Sequence, residues 1–155
     1  MTKFETPSDS DFNEIIYLIN KINREWYSTI IPEEHYQDPF LTRKQLDHMA
    51  TIMDFFVLRG EDKIIAVGSL GSRDENIAWI PLMHVHSEHQ RMGLGSSLMR
   101  YLEKLAKSRN FTKIHLETDS EAYWAINFYT KHGYSIFRKD KNPWGYHVWL
   151  EKSLK

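Results

Sequence analysis

Residues 84–96, HVHSEHQRMGLGS, bring three histidines and two glycines into one short run. His84, His86 and His89 are of the type that ligates a metal, and alternation by two puts His84 and His86 on one strand face. Gly93 and Gly95 suit a different ligand. Glycines between a strand and a helix let the backbone approach closely, and the following helix presents unpaired N–H groups with partial positive charge. That arrangement suits a diphosphate, with Arg91 as an added cation. Neither G-x-G-x-x-G nor G-x-x-x-x-G-K-[ST] is met, because Ser96, Ser97 and Leu98 follow Gly95. A glycine-containing turn with no ligand fits the spacing equally well. For the metal, spacing fixes no acidic third ligand, and Glu88 falls in the loop. With 8 histidines in the chain some clustering is ordinary, so no metal is expected.

The elements that must hold this run follow from periodicity. Phe12, Ile15, Ile16, Ile19 and Ile22 recur at helical spacing after the capping residues Ser8 and Ser10. WYSTIIPEEHYQDP reads as an irregular aromatic and acidic loop. Thr42 with Gln45 has the form of a capping box opening a short helix through Leu46 and Met49. Strand-like runs follow at 55–59, 64–70 and 77–85, turned by GED (60–62) and GSRDEN (71–76). Leu94, Leu98, Leu102, Leu105 and Ala106 mark a helix whose last turn carries cations suited to its dipole. IHLET (114–118) is a short strand, Ser120 is placed to cap a helix running to His132, and Gly133 sits where a left-handed helix end is expected. Two strands around KNPWG finish the chain.

A meander followed by strand–helix–strand–helix–strand predicts an α+β fold in one domain, residues 1–155. The sheet is expected to be mixed and mostly antiparallel, with about six or seven strands, a parallel central pair and about four helices.

Composition narrows the function. At 155 residues, 41% hydrophobic and 26% charged, the chain has the profile of a globular domain. A net charge of -1 offers no general attraction to nucleic acid or anionic membrane. The absence of cysteine excludes disulfides, thiolate ligands and a cysteine nucleophile. The polar N-terminus has no apolar signal core, and no run approaches the ~20 apolar residues of a membrane span. A cytoplasmic protein without nucleic-acid or membrane partners is expected.

Val85-x-x-x-x-Gln90-Arg91-x-Gly93-x-Gly95 resembles the acetyl-CoA pyrophosphate loop of the GNAT (Gcn5-related N-acetyltransferase) family. Downstream, Ala125-Ile126-x-Phe128-Tyr129-x-Lys131-x-Gly133-Tyr134 resembles that family's second signature. The order and separation of the motifs fit from about residue 77 to 135.

The resemblance implies acetyl-CoA as acyl donor and direct transfer of its acetyl group to a primary amine. Met83, His84 and Val85 would lie on a strand that splays from its parallel neighbour at Pro81 and pairs with the pantetheine arm. Gln90, Arg91, Met92, Gly93, Leu94, Gly95 and Ser96 would form the cradle. Tyr129 would reach the sulfur as general acid, protonated at neutral pH by its reference pKa near 10. The N–H of Val85 or a neighbour would polarise the carbonyl. Glu117, in LET, matches the strand from which ribosomal-protein N-terminal acetyltransferases of the family draw their base. His84, Glu33 and Glu34 are the other base candidates. Many relatives carry a cofactor-contacting asparagine where this chain has Ala122, and Asp119, Ser120 or Asn127 are its candidate substitutes.

The acceptor is expected on the side of the first helices and last hairpin, which carry Trp26, Tyr27, Glu33, Glu34, His35, Tyr36, Trp144 and Tyr146. Aromatic walls with carboxylates suit a cationic amine, either a small molecule or a protein N-terminus. A homodimer is left open. The competing readings are a CoA-sensing module without turnover and a metal-binding protein using His84, His86 and His89.

Overall fold

The computed structural model describes residues 3–90 and 92–155. Four helices flank the sheet: α1 (Phe12–Trp26), α2 (Arg43–Met49), α3 (Leu94–Ser108) and α4 (Tyr123–Lys131). The strands are β1 (Asp54–Gly60), β2 (Lys63–Ser72), β3 (Ile77–Trp79), β4 (Met83–Val85), β5 (Lys113–Asp119), β6 (Ser135–Asn142) and β7 (Gly145–Ser153). They form one sheet in the order β1-β2-β3-β5-β7-β6, with β4 also on β2. Among the described residues only β3 and β5 run parallel; the other pairs are antiparallel. The mixed α+β architecture read from the sequence is the one observed.

Each helix buries the stripe its sequence marks. Ile15, Leu18, Ile19 and Ile22 of α1 pack with Leu46 of α2 against Val57 and Val67 on one face of the sheet. Leu98, Met99, Leu102 and Ala106 of α3 cover Ile114, Leu116, Val148 and Leu150 on the other. At α2 both capping-box bonds form: Gln45 N–H donates to Thr42 Oγ1 at 3.1 Å, and Thr42 N–H donates to Gln45 Oε1 at 2.8 Å.

Two expectations are corrected in detail. Ser8 opens a 3-10 turn (Asp9–Asp11), so the α-helix proper begins at Phe12. Ser120 does not cap α4: the helix starts at Tyr123 behind Ala122, and Ser120 Oγ instead accepts the Tyr146 N–H at 3.0 Å. The 60–62 hairpin turn forms as expected, with Glu61 and Asp62 at positive φ values of 44° and 68°. Left-handed conformations at both central positions match the twist of a two-residue hairpin.

The predicted 77–85 strand is two strands. β3 continues its parallel pairing up to Ile80, whose N–H donates to the His115 carbonyl at 3.2 Å. Pro81 then offers no donor, and the chain leaves β5 but stays on β2, where Ser69 N–H donates to the Leu82 carbonyl at 3.0 Å. β4 therefore pairs β2 and leaves β5. This opens the middle of the sheet.

Candidate active site

The opening leaves particular backbone groups free. His86 N–H donates to Ile65 O at 2.7 Å, and Ser69 N–H reaches Leu82 O, so residues 82, 84 and 86 are the ones bonded to β2. By antiparallel alternation, Met83 and Val85 turn their N–H and C=O groups toward the gap beside β5. The Val85 carbonyl is taken by the Gln90 side chain, Nε2 donating at 3.1 Å, which ties the loop back to the strand.

Beyond the loop, α3 begins at Gly93 in a left-handed conformation, φ 78°. A side-chain carbon built on Gly93 would meet nothing within 4 Å. The first helical bond is Ser97 N–H to Gly93 O at 3.0 Å, so the amides of Leu94, Gly95 and Ser96 have no partner within the helix. An open space at an uncapped helix N-terminus is what a diphosphate requires. Gly95 has a further reason to be glycine: a side-chain carbon there would stand 3.3 Å from the Phe128 ring, where α4 packs against α3.

A cavity of about 500 Å³ lies over this loop, lined among others by Met83, His84, Val85, Gln90, Gly93, Gly95, Ser96 and Tyr129. Of the other predicted cradle residues, Met92 points to solvent, Leu94 packs on Leu58, Ile65 and Ala66, and Asn127 is exposed; none of the three lines the cavity. Arg91 lies outside the described residues. Trp26, expected on the acceptor side, lines this cavity, its ring 5.1 Å from that of Trp124. Ser96 Oγ meets His132 Nε2 at 3.0 Å, a pairing that the sequence reading missed. Ala122 is fully buried, and neither Asp119, Ser120 nor Asn127 lines this cavity in place of the missing asparagine.

A second cavity of about 390 Å³ opens on the side of the loop after α1. Tyr27, His35, Tyr36, Glu117, Asp119, Trp144 and His147 line it. Glu33 and Glu34, exposed on their turn, line neither cavity, and Tyr146 is also outside both. Tyr27, Met83, His84 and Tyr129 belong to both cavities and form the neck between them.

Burial sets the pKa values at the neck. Burial pushes Tyr129 well above the usual phenol, so it keeps its proton across the neutral range. Burial draws His84 down to about 4, which leaves a neutral imidazole with little affinity for a proton. Burial also raises Tyr27, whose hydroxyl shares a hydrogen bond with Thr118 Oγ1 at 2.9 Å.

Glu117 stands on β5 with its Oε2 buried and without a hydrogen-bond partner. Burial raises its pKa, against the opposing pull of His147 and Arg73. His147 Nε2 is 3.6 Å from Glu117 Oε1. Asp119, two residues on, is likewise raised by burial, with Trp144 Nε1 donating to its Oδ1 at 3.3 Å. His147 did not stand out as a partner of Glu117 in the sequence, because the β5–β7 register that joins them spans about thirty residues.

The histidine cluster is regrouped. His86, Glu88 and His89 bring ligand atoms within 4.8 Å of one another, while His84 sits apart at the neck. Two bonds already engage this cluster: His86 Nδ1 accepts the Glu88 N–H at 3.2 Å, and the Glu88 carboxylate pairs with Lys63 at 3.2 Å.

The family model described as "Acetyltransferase (GNAT) family" matches residues 16–134. Among solved structures, smu.2055 from Streptococcus mutans is 21% identical, with 99% of each chain covered and a TM-score of 0.83. The paia N-acetyltransferase from Thermoplasma acidophilum, in complex with coenzyme A, is 16% identical, with 99% of each chain covered and a TM-score of 0.80. The ribosomal-protein-S18-alanine N-acetyltransferase from Escherichia coli is 15% identical, covering 99% of this chain and 94% of that one, with a TM-score of 0.78. At these identities the three structures speak for the fold, and the family model speaks for the family.

Proposed function

The chain belongs to the GNAT acetyltransferase family, which uses acetyl-CoA, and from that premise we propose how its two cavities divide the reaction. Acetyl-CoA occupies the cavity over the 92–96 loop, and a small cationic primary amine enters from the cavity beside Glu117. Residues 1–155 act as one catalytic domain. The observation that carries this reading is the shared neck: Tyr27, Met83, His84 and Tyr129 line both cavities, so a thioester in one meets an amine in the other.

The amides of Leu94, Gly95 and Ser96 hold the diphosphate, and the outward backbone groups of Met83 pair with the pantetheine arm, which leaves the Val85 N–H for the thioester. The amine arrives as ammonium and must lose a proton before it attacks. Glu117 takes that proton, directly or through a water, and its raised pKa increases its affinity for it. His147, 3.6 Å away and part exposed, carries the proton on toward solvent. The nitrogen lone pair then forms the N–C bond while the Val85 N–H polarises the carbonyl. As the C–S bond breaks, the electron pair goes to sulfur and Tyr129 gives it a proton. The acylated nitrogen loses its second proton by the emptied Glu117 route, and a proton from solvent restores the phenol. The enclosure that raises the phenol penalises the departing thiolate too, so donor and acceptor are shifted together.

His84, drawn down to about 4, is too weak a base for an ammonium, and Glu33 and Glu34 stand outside the cavity. A panel of small primary amines, followed by release of free CoA thiol, tests the reading. Acetyl-CoA binding without thiol release from any amine would instead indicate a module that senses the cofactor.

A further inference from the structure

The acceptor cavity holds one more charged group than the chemistry uses. Glu117 and Asp119 are two residues apart on β5, so their side chains leave the same face of the strand. Both are half-buried, and both line the same cavity of about 390 Å³. Glu117 has a task as the base, whereas Asp119 does not. An aspartate taken partly out of water is costly unless something charged or strongly polar answers it. Among the described residues, no lysine or arginine lines this cavity. Asp119 has neutral donors in the Trp144 indole at 3.3 Å and the Asn142 side chain, and the His147 ring, 3.6 Å from Glu117, acts on it as well, yet burial outweighs all three. Aromatic rings close the site around the carboxylate, with His35 and Trp144 5.3 Å apart and Tyr36 beside them. A carboxylate backed by aromatic faces is a site for an organic cation.

We propose that the acceptor carries a second cationic group, which Asp119 and Trp144 hold while Glu117 receives the amine to be acetylated. This rests on the reading of that cavity as the acceptor side. The strand rise of about 3.3 Å per residue places the two carboxylates about 6–7 Å apart along β5. A primary diamine with about four methylenes between its nitrogens, five bonds of about 1.5 Å in zigzag, spans that separation. The acceptor class is therefore a short diamine, and a monoamine of the same length leaves Asp119 unanswered.

Two readouts separate this inference from the reading beneath it. Calorimetry on CoA-saturated protein compares 1,4-diaminobutane with 1-aminobutane, and thiol release follows turnover of each by the acetyl-CoA enzyme. The expected result is diamine binding about tenfold tighter than the monoamine, the scale of one hydrogen bond to a charged group. Asp119→Asn, close to isosteric, should bring that ratio near one, with circular dichroism and acetyl-CoA affinity reporting the fold. Equal binding of the two amines to wild-type protein, no binding of either, or a ratio that survives Asp119→Asn overturns the inference. An Asp119-dependent preference without thiol release upholds the cation site and refutes the proposed turnover. Thiol release from both amines with no preference does the reverse.

Discussion

His147 Nε2 reaches Glu117 Oε1 diagonally across the β5–β7 ladder, at 3.6 Å, with Trp149 rather than His147 directly opposite Glu117. The imidazole is part exposed while Glu117 Oε2 is buried and unpaired, so the pair gives that carboxylate a route to solvent. His147→Gln removes the proton-carrying ring and keeps a polar side chain. We expect a several-fold lower kcat, with the acid limb of the pH–rate profile moved, and little change in acetyl-CoA affinity. An unchanged pH profile excludes the proton route.

Glu117→Gln should have opposite effects on rate and stability. A carboxyl whose pKa is raised by folding is most favourable to the native state below its unfolded value, near 4.5, and costs stability as pH rises through the folded value. Removing the charge should therefore raise the melting temperature at pH 7–8. Activity should fall most where the amine is mainly ammonium, and the deficit should shrink as pH approaches the amine's own pKa. A flat wild-type-to-mutant ratio over that range would exclude Glu117 as base.

Tyr129→Phe tests the acid. The hydroxyl has no hydrogen bond within the protein among the described residues, so its loss should leave melting temperature and acetyl-CoA binding close to wild type. The rate of the chemical step should fall by about 10². Single-turnover kinetics with saturating acetyl-CoA makes the measurement, and an unchanged rate would remove Tyr129 from the chemistry.

Gly93→Val places a β-branched side chain at φ 78° in the space over the helix start. The strain should cost about 1–3 kcal/mol of stability. Acetyl-CoA affinity should fall by more than tenfold, since the new side chain fills the diphosphate space. Titration calorimetry and thermal melting separate the two effects, and normal affinity in a folded variant would refute the cradle.

Asp11 supplies a stability marker far from either cavity. Arg59 donates to it from Nη1 at 3.1 Å and Nη2 at 2.6 Å, and with the Ser8 N–H at 2.8 Å holds its pKa down to about 2. This stabilisation is present above the unfolded value, near 4, and is lost as pH falls toward 2. Asp11→Asn should lower the melting temperature at pH 7 by about 2–4 °C and converge with wild type near pH 2.

The sequence was most legible where one residue and its near neighbours decide the outcome. The α1 isoleucine stripe, the Thr42–Gln45 box, left-handed Gly133 and the break at Pro81 all depend on interactions a few residues long. Both glycines of the loop line the donor cavity, as does Tyr129. Met92, Leu94 and Asn127 fall outside it because sequence proximity does not fix which way a side chain is rotated about its helix or loop. His147 was hidden for a different reason. Its meeting with Glu117 depends on strand register across the α4–β6 segment, which no local pattern encodes.

Where β4 parts from β5, the fold has an edge strand inside its own sheet. Exposed strand edges invite any extended chain to pair with them, and proteins usually blunt them with charge or bulges. Here the protection comes from access: β4 is three residues long and is flanked by α1 and α3. A peptide strand would bring side chains on both faces into that gap, between α1 and α3, whereas the pantetheine arm is a thin amide-bearing chain. The same gap is then a selectivity filter and a source of ligand-linked rigidity. Amide exchange at Val85 should slow when CoA binds, as at a strand gaining its missing neighbour.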